Sequence, residues 1–408
     1  MKKKWLYIEP YVYISQNSNN TLLFNTYSHK YLEFIDDHMM FTIFQKLNLL
    51  ENKYCIEITE QIYSSKSFIE SFQKIQNGLY GNISVSKTKP FIFYPKINVQ
   101  SDLRYRLDGS GTKIKRNLTD VFVILNESNK INNLPPLFNK ISVQSDLNSS
   151  LQVNYEKLLK FLFSAEGSLV YNVEIGGSNI WEYHNLEGLI ENLLSINIKS
   201  ILLSSIQTFI DAQNEMIQSI FDQAMSLKLY FNIDTLYLFE KINEKIKNQK
   251  KLKYYFIIRN EAEYKMVFNW LKGHNIVQRR IVPVFDNNYD FFESTTFYDR
   301  SEIFGQQQTI NEILAKKIIN PYKFGKITIS SGGDVFDDIY SKPIGNISDF
   351  NLAMVIEKGL REYGPWKKTR SKIEPCLNCT YQDICPPLSD YEYVLKKNNL
   401  CNIGFNDD

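Results

Sequence analysis

Histidine and cysteine, the residues that most often carry metal and acid–base chemistry, are scarce in this chain of 408 residues, with four of the first and five of the second. His29, His38, His184 and His274 stand far apart and form no H-E-x-x-H pair, which excludes the helical zinc-hydrolase pattern. His184 is read as solvated. Charge of one sign is lacking too. The 47 basic and 45 acidic residues nearly cancel, so no long-range field draws the protein to nucleic acid or an anionic membrane. The segment from Asp108 to Lys113 lacks the G-x-x-x-x-G-K spacing of a phosphate loop and reads as an ordinary turn. Long apolar runs are missing: Met1-Lys-Lys-Lys-Trp-Leu6 is followed by Glu9 and Pro10 rather than by a signal-peptide core, and no stretch reaches the ~18 residues of a membrane span. The expectation is a soluble, cytoplasmic protein. What is present is 43% hydrophobic residues, enough to fill the cores of two or three domains.

The organisation changes along the chain. Apolar runs at Tyr11–Ile14, Thr21–Asn25 and Lys30–Phe34, split by polar turns, predict a small three-stranded sheet. Helical spacing follows at Phe41, Phe44, Leu47 and Leu50, then an extended Cys55–Ile58, then helical spacing at Phe68, Phe72 and Ile75. From Val121 onward six strands are predicted, beginning near Val121, Val170, Ser200, Leu229, Tyr254 and Arg280, with helices between them. That alternation points to a parallel sheet with right-handed crossovers, open or closed into a partial barrel. The Asp, Asn, Tyr and Phe-rich stretch Asp286–Gln308 reads as irregular, followed by a helix from Thr309 and an extended Lys326–Ser330.

Four of the five cysteines crowd between Cys376 and Cys401. Cys376 and Cys379 form a C-x2-C pair, with Cys385 and Cys401 after them. A C-x2-C turn lets two thiolates bite one metal or cluster edge while backbone amides face sulfur, and four thiolates complete a shell for zinc or for iron–sulfur. Cys55 stands alone in an apolar strand.

The run Ile327-Thr-Ile-Ser-Ser-Gly-Gly-Asp-Val-Phe336, then Ile344-Gly-Asn-Ile347, then the three cysteines ending in Cys385-Pro-Pro387 resembles the SPASM extension of radical-SAM peptide maturases. The resemblance implies one [4Fe-4S] cluster on Cys376, Cys379, Cys385 and Cys401, with zinc as the alternative occupant. It implies that a second auxiliary cluster is lost, since Asp337-Asp338 and Ser389 stand where that family places cysteines. These three are expected to be bystanders of that loss. Gly176, Gly177 and Ser178 fall where the family carries Gly-Gly-Glu for the amino group of S-adenosylmethionine (SAM), so they are vestigial positions of that site, with Ser178 replacing the glutamate. The C-x3-C-x2-C of the SAM-cleaving cluster has no counterpart in Asn126–Pro136, which contains no cysteine.

The N-terminal block resembles the PqqD-like leader-binding domains, winged-helix units whose sheet edge takes a peptide as an added strand. That likeness places Leu22, Phe24, Tyr31 and Leu32 against the peptide. The implied architecture is α/β: a small winged-helix-like α+β domain over residues 1–90, a degenerate partial (β/α)6 radical-SAM-type barrel over 91–305, and a SPASM-like cysteine extension over 306–408. As a whole the chain resembles the pseudo-radical-SAM proteins of Bacteroidales-type GG-leader peptide-modification systems. The implied role is a non-catalytic accessory protein, not an enzyme, that binds a precursor leader, a true radical-SAM partner, or both. Two alternatives stand beside it: an electron-relay subunit or unconventional cluster enzyme of the same pathway, and a zinc-stapled peptide-binding scaffold.

Overall fold

The computed structural model describes residues 2–90, 118–126, 151–164, 170, 172–224, 226–246, 249–285, 287–338, 341–362 and 364–403. The Asp108–Lys113 loop and the residues after Asn126 up to Pro136 lie outside them.

A nine-stranded sheet in the order β12-β11-β10-β9-β8-β7-β13-β14-β15 organises the centre of the chain. Its strands are β7 (Asp120–Ile124), β8 (Asn172–Gly176), β9 (Lys199–Ser205), β10 (Ser226–Phe231), β11 (Leu252–Ile258), β12 (Arg279–Pro283), β13 (Lys326–Ile329), β14 (Asp334–Phe336) and β15 (Gly345–Asn346). The first seven pair in parallel, and the last two close the β13 edge as an antiparallel meander. All six strands predicted from alternation are present. β13 was foreseen as extended chain; its return to pair with β7 was not.

The period of two along these strands sorts side chains onto two faces. Val121, Val123, Val173, Ile175, Leu227, Leu229, Phe256 and Ile327 join the crossover helices in the main core. The other face carries a smaller buried cluster of Phe122, Ile124, Leu203, Tyr230, Ile257 and Val284. Strands buried on both faces are typical of parallel sheets, because a helix must return each connection across the sheet.

Two small antiparallel sheets precede this body. β2 (Val12–Asn17), β3 (Asn20–Asn25) and β4 (Tyr31–Phe34) form the predicted three-stranded sheet, and β1 (Lys3–Ile8) pairs with β5 (Cys55–Ile58) and β6 (Gly81–Ser86) in a second. The helices His38–Asn48 and Lys66–Asn77, N-capped by Asp37 and Ser65, bury Phe44, Leu47, Phe68 and Ile75 against both. The other face of the β2-β3-β4 sheet is not free. Tyr13, Leu22 and Phe24 pack with Ile303, Phe304, Ile313, Ile384 and Cys385, joining the N-terminal sheet to the cysteine region.

Several elements differ from expectation. Asp286–Gln308 contains the helices Tyr289–Thr296 and Arg300–Gly305, the second started by a capping box between Asp299 and Glu302. The connection from β9 to β10 is not one helix but two, Ile206–Asp211 and Asn214–Gln223, separated at Ala212. The connection from β10 to β11 opens with a 3-10 helix, Ile233–Lys241.

Candidate functional site

The cysteine region winds around one guanidinium. Arg370 is 6% exposed. Its Nη1 lies 3.5 Å from Cys376 Sγ, 3.2 Å from the Asn398 carbonyl and 2.8 Å from Glu392 Oε1, and its Nε donates to the Pro386 carbonyl. Cys376 opens a single 3-10 turn, Cys376–Asn378, whose last bond runs from the Cys379 amide to the Cys376 carbonyl at 2.9 Å. The Tyr381 amide donates to Cys379 Sγ at 3.4 Å. Cys385 is buried, and Cys401 is held by a bridge to Tyr298.

Burial pushes all three of the first thiols up: Cys376 above its usual value, Cys379 to about 11, and Cys385 higher still. The Arg370 guanidinium opposes this at each of them. Cys385 also feels the charge of Cys379, Cys376 and Cys401, so the four sulfurs share one electrostatic neighbourhood. Among the described residues no three His, Cys, Asp or Glu side chains converge closely enough to hold one ion. Tetrahedral zinc with ~2.3 Å bonds requires thiolates roughly 3.8 Å apart. Cys55 lies elsewhere, fully buried in β5.

Lys316 supports the far side. Its ammonium donates to the Cys385 carbonyl at 2.8 Å and the Ile384 carbonyl at 3.2 Å, and burial lowers its pKa to about 8. Sequence reading found the four cysteines but neither Arg370 nor Lys316. A single arginine six residues before a cysteine carries no motif.

Asp337, Asp338 and Ser389 are not bystanders, which corrects the expectation. Asp338 is 4% exposed, with an oxygen 2.6 Å from the buried Lys323 ammonium, which also pairs with Asp390. Asp337 accepts from Ser341 Oγ at 2.8 Å. Ser389 caps the helix Asp390–Leu395 in a capping box with Glu392, whose other oxygen meets Arg370. A buried charge must find a partner, and here three do so together.

Gly176, Gly177 and Ser178 form the turn at the end of β8, and the structure brings them onto Asn126 at the end of β7. The Ser178 amide donates to the Asn126 carbonyl at 3.0 Å, and Asn126 Nδ2 donates to the Asn179 carbonyl at 2.6 Å. A Cβ on Gly177 would stand 3.0 Å from the Asn126 carbonyl oxygen and 3.1 Å from its nitrogen. Gly177→Ala is therefore expected to cost about 1–3 kcal/mol, read from urea denaturation. His184 is exposed, as expected.

Of the residues implied for peptide contact, Leu22 and Phe24 are fully buried in the central strand β3 and face the cysteine region. Tyr31 stacks on Phe304 with centroids 3.6 Å apart, and Leu32 packs toward the N-terminal core. β4 is an edge strand. The Asn25 amide bonds the Lys30 carbonyl, so in the alternating antiparallel ladder Leu32 points its backbone groups at β3, and Tyr31 and Glu33 point theirs outward.

No known protein family matches the sequence, and no curated protein matches it. The chain is similar in structure to Streptococcus suis SuiB bound to its precursor peptide SuiA, at 11% identity over 97% of each chain with a TM-score of 0.40. It is similar to anSMEcpe with bound AdoMet, at 13% identity over 66% of this chain and 84% of that one with a TM-score of 0.43. It is also similar to BtrN in complex with AdoMet and 2-DOIA, at 9% identity over 64% of this chain and 92% of that one with a TM-score of 0.36. The expectation that the chain is no enzyme is corrected by these comparisons, because its structural neighbours include SAM-bound proteins and a methylornithine synthase. Among the described residues no helix is long and apolar enough to cross a membrane.

Proposed function

We propose that this chain acts in the modification of a ribosomally made peptide, holding one four-thiolate metal centre on Cys376, Cys379, Cys385 and Cys401 and taking a leader peptide on the outer edge of β4. The observation that carries the reading is the contact between the sheet that ends in β4 and the cysteine loop, made through its other edge strand, β2. Tyr13 Oη donates to Asp383 at 2.5 Å, Ser15 Oγ to the Thr380 carbonyl at 2.6 Å and Asn17 Nδ2 to the Leu377 carbonyl at 2.9 Å, all within the loop that spans Cys376 to Cys385. SuiB, to which the chain is similar, was crystallised with its precursor peptide, and a peptide-handling role here accords with that.

The donor set fits a thiolate-bound centre. Cys376 and Cys385 are buried, and a guanidinium at Cys376 and an amide at Cys379 favour the ionised form. Four thiolates would complete the shell of a four-iron cluster, each on a different iron. When bound, such a cluster takes up and releases single electrons. The protein's own contribution is to hold the thiols out of water and to set Arg370 against them. SPASM and PqqD-like describe these two regions, and the divisions at residues 90 and 305 belong to the same proposal.

The test has two arms. Anaerobically purified protein is expected to carry about four irons with matching acid-labile sulfide, and stoichiometric zinc without colour would replace the cluster by a structural ion. A fluorescent leader peptide from the precursor encoded beside its gene should bind the full chain. Glu33→Pro, which removes an outward N–H of β4, should weaken it about tenfold, while Glu33→Gln, which loses the charge facing Arg300 and keeps an oxygen for the Tyr381 hydroxyl, leaves it nearly unchanged. Equal binding by all three proteins would exclude the β4 edge.

A further inference from the structure

A cavity of about 220 Å³ opens at the N-terminal end of the parallel strands, between the starts of β7, β8, β10 and β13 and the turns that carry Lys323 and Asp337. It is distinct from the cysteine region and from the Gly176-Gly177-Ser178 turn. Phe122 lines it and also stands 3.1 Å from where a Cβ of Gly176 would lie. The aromatic ring and the cluster around it therefore divide the cavity from the C-terminal end of the strands.

The lining is charged and unbalanced. Asp120, Glu174, Asp337, Asp338 and Asp390 supply five carboxylates, and Lys228, Lys323 and Lys326 supply three ammonium groups. Lys228 lies 2.7 Å from Glu174, and Lys323 bridges Asp338 and Asp390. Asp120 instead accepts neutral hydrogen bonds, from Asn172 Nδ2 at 3.1 Å and Thr119 Oγ1 at 2.8 Å, as Asp337 does from Ser341. Among the described lining residues the carboxylates outnumber the ammonium groups by two, 5 against 3, around a space that would hold roughly seven waters by liquid volume.

The carboxylates are spread around the cavity, and among the described residues no three of them converge on a point. A compact metal ion is poorly served by that arrangement. An extended organic cation is well served, because separated carboxylates meet separated ammonium groups while Phe122 and Ile201 cover the methylenes between.

We infer that this cavity binds a small aliphatic amine of up to about ten heavy atoms, with Asp120 and Asp337 receiving its ammonium groups. The site does not depend on a metal at the cysteines or on a peptide at β4.

Calorimetric titration of the full chain with cadaverine, 1-pentanol and glutarate tests it. Cadaverine is expected to bind below about 1 mM, with the neutral alcohol and the dianion at least about tenfold weaker. Asp120→Asn and Asp337→Asn, each checked for an unchanged melting curve, should each weaken cadaverine about tenfold. Binding unaffected by both substitutions, or glutarate bound as well as cadaverine, overturns the inference. Should either variant fail to fold, the preference of the unaltered protein among the three probes still decides it.

Discussion

Arg370→Met destabilises the protein by about 3–5 kcal/mol, the largest loss expected from any single substitution outside the cysteines. The guanidinium is buried and is the ion-pair partner of Glu392, which is itself 3% exposed. Removing it strands a carboxylate in a medium that solvates it poorly and also orphans the Pro386 and Asn398 carbonyls. Glu392 is already pushed up by burial, and Arg370 is what pulls it back down. Without that counter-charge Glu392 binds a proton well above the usual carboxylate range, so the variant loses least in mild acid. The double variant Arg370→Met with Glu392→Leu should recover much of the loss, since a buried pair exchanged for apolar groups is often neutral. Urea denaturation at pH 7 and pH 5.5 separates these outcomes. If the single variant melts like the unaltered protein, the pair is not what organises the cysteine region.

Cys385→Ala should take metal content from about four irons per chain to below one, with Cys55→Ala unchanged. Cys385 is buried, its amide donates to the Tyr381 carbonyl at 2.9 Å, and its own carbonyl accepts from Lys316. Metal uptake requires the thiols to ionise, and burial opposes that, so occupancy should rise with pH. The metal-free protein has the opposite dependence. The Cys379 thiol is raised from 9.0 to about 11 in the folded chain, so the stabilisation from keeping it protonated is complete below pH 9. It is lost as pH climbs toward 11, on the order of 2 kcal/mol for that one group. Melting curves of chelated protein across this window, with Cys379→Ser as the comparison, measure it.

The sequence disclosed what depends on local pattern. Alternation in β7 through β12 and helical spacing between them are properties of neighbouring residues, so the parallel sheet was legible before any coordinates. The pairing of β1 with β5 and β6 joins Leu6 to Ile56 and to Ile83, a union of distant segments that no short window reveals. The helices after Asp286 were hidden by turn-forming Asp and Asn, though Asp299 with Glu302 was a capping signature open to recognition. At the site, cysteine spacing named the four thiols, while Arg370 and the Lys323 bridge emerged only once burial was known. A lone charged residue looks the same on a surface as at the centre of a network.

The hydrogen bonds from Tyr13, Ser15 and Asn17 into the Cys376–Cys385 loop make the N-terminal sheet and the metal loop one thermodynamic unit. If metal orders that loop, it also orders the sheet whose edge would receive a peptide, and the coupling must run equally in both directions. A peptide that strengthens metal binding by some factor is itself bound more tightly by the same factor in the metallated protein. Amide hydrogen exchange in residues 12–34 would then slow on metal loading of a loop more than 340 positions further along the chain.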